Sequence, residues 1–414
     1  MPRAERLVRP AWQAMPTVRL DSVEPTDRWT LASAFAEKTL VCDHHDGPAI
    51  LSADGRTERE WPDPLSALRW MQRSFDSPSA RWVGYLSYDC GRWFESFDRS
   101  AVDDLGLPWF AFALVDSETA SPVARASRPC LAIQGTGWTP VLRSTFTAAE
   151  YEAVVAKAID YISAGDVFQV NLSQRFDIPA AAAPATVYDR LIEKSPSRFA
   201  AFLDFDDFAI ASHSPELFLQ VTPDRKVTTR PIKGTRPRRA GMEEELLRST
   251  KDAAELNMIV DLERNDLGRV CETGSVRVTR PREIQSLPTI YHGVAEIQGV
   301  LRPEIDFVDL LRGTFPGGSV TGAPKVRAMQ IIDELEPVRR GPYCGAIGYL
   351  AANGSMQFNV AIRTITFKKD HAYVSVGGGI VADSDPAGEY EETLVKAAAM
   401  FKALGVPRGQ VRQP

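Results

Sequence analysis

Two stretches of the chain combine side chains able to do chemistry with a backbone able to hold them still. The first runs Thr228-Thr229-Arg230-Pro231-Ile232-Lys233-Gly234-Thr235-Arg236-Pro237-Arg238-Arg239. The prolines fix φ and push the preceding residues toward extended forms, and Gly234 permits a turn. Lys233 is therefore presented from a restrained loop. Arg230, Arg236, Arg238 and Arg239 surround it in sequence, and nearby cations lower the pKa of an ammonium, one route to a nucleophilic lysine. A solvated basic surface has the same charge pattern, so both readings stand open. The second is acidic. Asp252 and Glu255, and again Glu389 and Glu392, are three residues apart, hence on one face of a helix. Two such pairs converging suit Mg²⁺, which takes oxygen ligands and bridges to anionic substrates. Ordinary solvated carboxylates share that spacing, and Glu389 also suits the positive end of a helix dipole.

Glycines mark two further places. Phe315 to Lys325 reads Phe-Pro-Gly-Gly-Ser-Val-Thr-Gly-Ala-Pro-Lys. Gly317 and Gly322 have the spacing of a P-loop, but Ala323 stands where its lysine is required, which excludes nucleotide binding by that motif. A carboxylate-binding loop at the start of a helix is the expectation. Gly377-Gly378-Gly379 follows a strand-like run, where glycine signals either close backbone approach to a ligand or a bulge. Among single residues, Glu216 follows Ser214-Pro215 and is a candidate general acid or base. Arg363 sits among Val360, Ala361, Ile362 and Ile365. Read as mid-strand, it needs an anion. His292 lies in an otherwise apolar stretch and reads first as a core histidine.

The elements that must position these groups follow from periodicity. Leu65, Leu68, Met71 and Phe75 fall at helical spacing after Asp63-Pro64. Thr147 to Ile162 carries an apolar stripe behind a Thr147/Glu150 capping box. Glu243 to about Asn265 reads as one long helix, and a last helix starts near Asp385-Pro386 and stops before Gly405. Phe168 to Phe176 alternates with period two, as do Phe199 to Leu203, Phe208 to Ser212, Cys344 to Ala351, Asn359 to Phe367 and Ala372 to Val376. Trp29 to Val41 reads as a helix then a strand. Asp116 to Thr139 is rich in Ser, Pro, Thr and Gly and reads as a linker. Strands cluster without a βαβα alternation. The expected class is α+β, with two packed, mainly antiparallel β-sheets forming a sandwich core and helices outside. The expected regions are 1–140 and 141–405, in one compact unit.

The 414 residues suffice for one large domain or two ordinary ones. The net charge of −6 disfavours nucleic acid and other polyanions as partners. The five cysteines are scattered and unpaired in pattern, which fits a reducing cytoplasm rather than a disulfide framework or zinc site. No secretory signal or membrane-spanning run is evident.

Taken in order, the stretches Phe168–Phe176, Ser214–Glu216, Arg230–Arg238, Met258–Arg269, Gly317–Ala328, Cys344–Leu350, Gly377–Ile380 and Glu389–Glu392 resemble the chorismate-utilising enzymes, the family of the anthranilate synthase and aminodeoxychorismate synthase large subunits. Gly84–Asp89 and Arg92–Glu95 look like its N-terminal region. Within the family, the position of Lys233 is usually alanine in anthranilate synthases and lysine in aminodeoxychorismate synthases. Gln169 stands where isochorismate and salicylate synthases place a lysine base. The resemblance therefore implies amination of chorismate at C4, toward 4-aminobenzoate and folate, with anthranilate synthesis as the main rival. A non-catalytic relative that only binds an amidotransferase or ligand is the alternative of another class. It further implies that Mg²⁺ is held by Glu255 and Glu392, with Asp252 and Glu389 close by. Lys233 is implied as the nucleophile and Glu216 as the general acid, with His292 at the reaction centre. Arg363, Tyr343, Ser319, Gly378, Gly379 and Lys396 would hold substrate. No glutaminase-like segment occurs, so a separate glutamine amidotransferase subunit is expected to supply ammonia.

Overall fold

Runs of β-branched, aromatic and other apolar residues form the strands, and in the computed structural model, which describes residues 15–23, 29–96, 101–116, 142–288 and 290–406, these make two sheets. The first runs β17 (Gly322–Ala323), β9 (Gln169–Pro179), β21 (His371–Ile380), β20 (Thr364–Lys368), β11 (Phe208–Ser214), β10 (Phe199–Asp204), β1 (Thr17–Asp21) and β2 (Leu31–Phe35), with β8 (Arg143–Ser144) also on β9. The second runs β14 (Ile232–Pro237), β16 (Ile290–Val300), β13 (Lys226–Arg230), β12 (Leu217–Val221), β19 (Met356–Val360), β18 (Ala346–Ala351), β6 (Ala80–Leu86), β7 (Phe110–Asp116), β3 (Lys38–Cys42), β4 (Ala49–Ala53) and β5 (Arg56–Trp61), with β15 (Arg277–Ser286) also on β16. The helices are α1 (Pro64–Met71), α2 (Ala148–Ser163), α3 (Pro184–Lys194), α4 (Met242–Arg248), α5 (Thr250–Gly268), α6 (Phe307–Thr314), α7 (Lys325–Leu335) and α8 (Pro386–Leu404). The expected α+β sandwich is what forms.

The core sits between the sheets. Val18, Leu20, Leu203 and Ile210 of the first sheet pack on Val83, Tyr85, Ala111 and Ile347 of the second. Helices cover the outer faces. α3 and α8 bring Leu191, Met400 and Phe401 onto Phe176 and Val374. α1, α5 and α6 bring Leu68, Leu256 and Phe307 onto Trp82 and Phe358. α2 and α7 cover the far end of β9 through Tyr151, Val155, Ala328 and Ile331. β1 pairs with β10 and β6 with β18, so strands from before and after residue 140 share both sheets. No helix among the described residues is long and apolar enough to cross a membrane. Cys42, Cys90, Cys271 and Cys344 are buried free thiols.

The expected caps form. Asp63 accepts from Leu65 N and Ser66 N, Thr147 and Glu150 close a capping box, and Asp385 accepts from Gly388 N. Three expectations change. The stretch from Trp29 to Val41 holds two strands and no helix; Trp29 is buried, its Nε1 donating to Ala200 O at 2.8 Å. The long acidic helix is two, because Ser249 takes an extended backbone and its hydroxyl accepts from Asp252 N to cap α5. A serine that can satisfy a free N–H gains more as a cap than inside a helix. Arg363 is not mid-strand: it breaks the chain between β19 and β20 with φ +53°. Of the linker expected over Asp116 to Thr139, Asp116 ends β7 and the rest lies outside the described residues.

One buried ion pair ties the layers together. Between α7 and β18, Arg340 donates to Glu336 (2.6 and 2.9 Å), to Asn171 O on β9 (2.6 Å) and to Val320 O (2.8 Å). Glu336 in turn accepts from Ser173 N and Oγ at 2.8 and 2.9 Å. The Tyr88 ring lies 4.6 Å from the guanidinium. Breaking a buried pair leaves a charge without compensation, which costs about 3–5 kcal/mol. Arg340→Met is therefore expected to lose about that much in denaturant unfolding, and the double variant Glu336→Leu/Arg340→Met to recover part of it. A single variant as stable as the parent would contradict this role.

Candidate active site

Lys233 lies on β14 at an irregularity in its pairing with β16 between Ile232 and Thr235. The distortion needs Gly234, which has φ +84° and no room for a side chain; a β-carbon there would come within 2.6 Å of Leu246 Cδ1. The Lys233 ammonium turns inward onto Glu255 of α5, Nζ to Oε2 3.2 Å, with 16 and 18 % of the two side chains exposed. Three of the four neighbouring arginines turn to other partners. Arg230 pairs with Glu283 at 2.8 Å, Arg236 with Glu245 at 2.7 Å and Asp252 at 3.1 Å, Arg238 donates to Leu287 O, and Arg239 is exposed. Lys233 is thus not part of a solvated patch: it is largely buried against Glu255.

Opposite Lys233 stands the first sheet. A β-carbon built on Gly379 would come within 2.8 Å of Gln169 Nε2 and 2.9 Å of Lys233 Nζ, so these three residues share one small space. Close approach, not a bulge, explains this glycine. Gln169 is fully buried, yet neither end of its amide makes a hydrogen bond among the described residues. Asn171 Nδ2, Glu216 Oε1, His292 Nε2 and Ser319 Oγ are likewise buried without partners there. Buried polar atoms are nearly always satisfied, so a group of unsatisfied ones marks a place for a polar ligand.

The chemistry of these groups is set by burial. Burial lifts Glu216 to about 7, with the nearby Ser319 hydroxyl (too loosely placed for a well-formed bond) and the Lys233 charge opposing this only in part. Glu216 is thus an acid that still holds its proton near neutrality. Burial and the Arg363 charge hold His292 down to about 4, so its ring is neutral; Nδ1 lies 2.9 Å from Thr235 Oγ1. Arg363 donates to Lys396 O at 3.1 Å and forms no ion pair with a carboxylate among the described residues. Tyr343 and Glu392 are the titratable groups that offset the burial of its charge. A guanidinium held this way suits an external carboxylate.

The four candidate metal carboxylates occupy two places. Asp252 is held by Arg236 and Glu255 by Lys233. On α8, Glu392 pairs with Lys396 at 2.7 Å, and Glu389 accepts from Ser384 Oγ at 2.6 Å. A β-carbon on Gly378 would lie 3.0 Å from Glu389 Oε2 and 3.9 Å from Glu392 Oε1, so these two flank one point. Burial raises the Glu389 pKa and the charge of Glu392 adds to it. Burial would do the same to Glu392, but the charge and hydrogen bond of Lys396 outweigh it and lower its pKa. Lys396 also donates to Gly377 O at 2.8 Å. No cluster of three or more His, Cys, Asp or Glu placed to hold a metal ion is present among the described residues. Gln169 and Asn171 are the lining residues that the expected site left out. Their signal was in the sequence: they alternate on β9 with Val170 and Leu172, whose face packs under helices.

Residues 25–402 match the family model described as chorismate binding enzyme. The chain is 46 % identical to anthranilate synthase component 1 of Pseudomonas putida, over 94 % of this chain and 90 % of that protein. It is 39 % identical to aminodeoxychorismate synthase component 1 of Bacillus subtilis, over 78 % and 76 %. Among solved structures, anthranilate synthase component I from Streptococcus pneumoniae superposes with a TM-score of 0.74 at 30 % identity, covering 97 % of this chain and 95 % of that one.

The raised Glu216 pKa has a consequence for stability. Between pH 4.5 and about 7 the folded state binds a proton that the unfolded state has lost, so stability falls as pH rises through this window. Glu216→Gln mimics the protonated acid and escapes the penalty. It is expected to be more stable than the parent at pH 8, by about 3 kcal/mol at most, and to match it near pH 4. Parallel thermal melts at the two pH values check this; equal melting temperatures at pH 8 would contradict it.

Proposed function

The chain belongs to the chorismate-binding enzymes, and we propose that it is component I of an aminodeoxychorismate synthase, joining chorismate and ammonia into 4-amino-4-deoxychorismate for 4-aminobenzoate and folate synthesis. One observation carries this reading: a lysine, where the anthranilate-forming relatives usually carry alanine, points into the cleft beside Gly379 and Gln169. In the proposed reaction the Lys233 amine attacks C2 of chorismate as the C4–O bond breaks. Glu216, protonated near neutrality, gives its proton to the departing hydroxyl, which leaves as water. Ammonia then adds at C4 and returns a proton to Glu216, and the C2–N bond breaks to release the lysine. An ammonium has no lone pair, so Lys233 must first give up its proton, to Glu255 at 3.2 Å or to solvent, as that pair opens. Arg363, with Tyr343 and the Gly378–Gly379 backbone, would hold the enolpyruvyl carboxylate; Ser319 and Lys396 complete the wall, and neutral His292 lies beside the ring.

The carboxylates suit Mg²⁺ in donor chemistry, all being oxygen ligands. Glu255 and Glu392 would hold the ion, with Asp252 and Glu389 behind them. It would supply positive charge to the ring carboxylate. A partner glutamine amidotransferase subunit would supply ammonia, and the setting would be cytoplasmic. A second reading, anthranilate synthesis, draws support from relatives such as the P. putida protein.

Product analysis separates the two. With chorismate, Mg²⁺ and ammonium, the purified chain is expected to form 4-amino-4-deoxychorismate, which keeps its enolpyruvyl group; fluorescent anthranilate as the main product would overturn the proposal. Glutamine should serve only when an amidotransferase is added. Lys233→Ala and Lys233→Arg, the latter permanently protonated, should each lose at least about 10²-fold in turnover. A wild-type adduct mapped to Lys233 by intact-protein mass spectrometry, formed without ammonia, should be absent in both.

A further inference from the structure

The β9 strand presents a second amide to the cleft, and its setting differs from that of every residue given a role above. Asn171 is 7 % exposed, and its Nδ2 makes no hydrogen bond among the described residues. Its backbone, in contrast, is fixed on both sides: N donates to Thr321 O at 2.8 Å, and O accepts from Arg340 at 2.6 Å. In the ladder it stands directly opposite Gly379, and opposed residues project from the same face. That face also carries Gln169, two residues away, and it is where Lys233 arrives. A buried amide N–H₂ with no acceptor is costly. A chain that clamps the backbone here could fill the position with an apolar side chain of similar shape and avoid that cost.

We propose that Asn171 is a substrate-binding residue whose Nδ2 donates a hydrogen bond to an uncharged oxygen, hydroxyl or ether, of the ring acid bound between Lys233 and Gly379. The acceptor is uncharged because the cationic groups that suit carboxylates, Arg363 and Lys396, stand by Gly377, Gly378 and α8. Arg340, the cation behind Asn171, is already engaged by Glu336 and two carbonyls. The rigid backbone makes the amide a preorganised donor, so little ordering is needed when substrate arrives. This inference rests on chorismate being the ligand of the cleft.

The test uses two readouts on the full chain: chorismate affinity by calorimetry, with Mg²⁺ and without ammonia, and the melting temperature of the free protein. Asn171→Leu removes the donor at similar volume. It should weaken chorismate binding by about 3–10-fold, as expected for one neutral hydrogen bond, while leaving the melting temperature unchanged or raising it. Asn171→Ala, less demanding in shape, should weaken binding equally, and Asn171→Asp, which turns the donor into an acceptor, should weaken it more. A structural asparagine gives the opposite pattern, a lower melting temperature with unchanged affinity, and that result overturns the proposal. Wild-type protein that binds chorismate alongside Asn171 variants that bind it equally well would remove this role alone. Wild-type protein that does not bind chorismate would remove the reading of the cleft and this role with it.

Discussion

The buried pair of Glu336 and Arg340 is the contact on which the geometry of the cleft depends. Taking two charges out of water is costly, and a pair recovers that cost only when every remaining donor and acceptor is met. Here the guanidinium meets two backbone carbonyls, one on β9 and one beside Ser319, and the carboxylate meets the N–H and hydroxyl of Ser173. The electrostatic demand of the pair thereby fixes the spacing of two walls of the cleft. With their backbone satisfied behind them, Gln169, Asn171 and Ser319 leave side-chain polar atoms unpaired. Tyr88 closes the pair from the N-terminal part of the chain, so that part shares in shaping the cleft.

Charge inside the cleft is managed by neutralisation and by local pairing. Glu216 and His292 are buried deeply enough to be held as neutral acid and neutral imidazole. Lys233 rests on Glu255 of α5 and Lys396 on Glu392 of its own helix, whereas Arg363 forms no ion pair with a carboxylate among the described residues. A substrate with two carboxylates meets one cation ready for it and two that are already paired. The chain is similar both to an anthranilate synthase component 1, at 46 % identity, and to an aminodeoxychorismate synthase component 1, at 39 %. Fold and overall similarity do not select among reactions at one site.

Much of this was legible in the amino-acid sequence because it depends on neighbours along the chain. Periodicity gave the sandwich of antiparallel sheets, and local capping chemistry gave the starts of α1, α2 and α8. The ordered motifs brought Lys233, Glu216, His292, Arg363 and the α5 and α8 carboxylates forward as site residues. Readings failed where a local preference outweighed a longer pattern. Ser249 caps a new helix inside what reads as one, and Arg363 leaves the strand for a left-handed turn.

What the sequence could not decide is which charge faces which. Four arginines lie near Lys233 along the chain, but Arg230, Arg236 and Arg238 turn to Glu283, Glu245, Asp252 and the Leu287 carbonyl, Arg239 is exposed, and the lysine turns onto Glu255, twenty-two residues away. The depth of burial that keeps Glu216 protonated, and the convergence of Gln169 and Lys233 on Gly379, likewise arise only when the two sheets close on each other. Electrostatic energy and desolvation depend on distance in space. The sequence by itself determined the inventory of reactive groups and the elements that carry them; the tertiary structure decided their partners and their protonation.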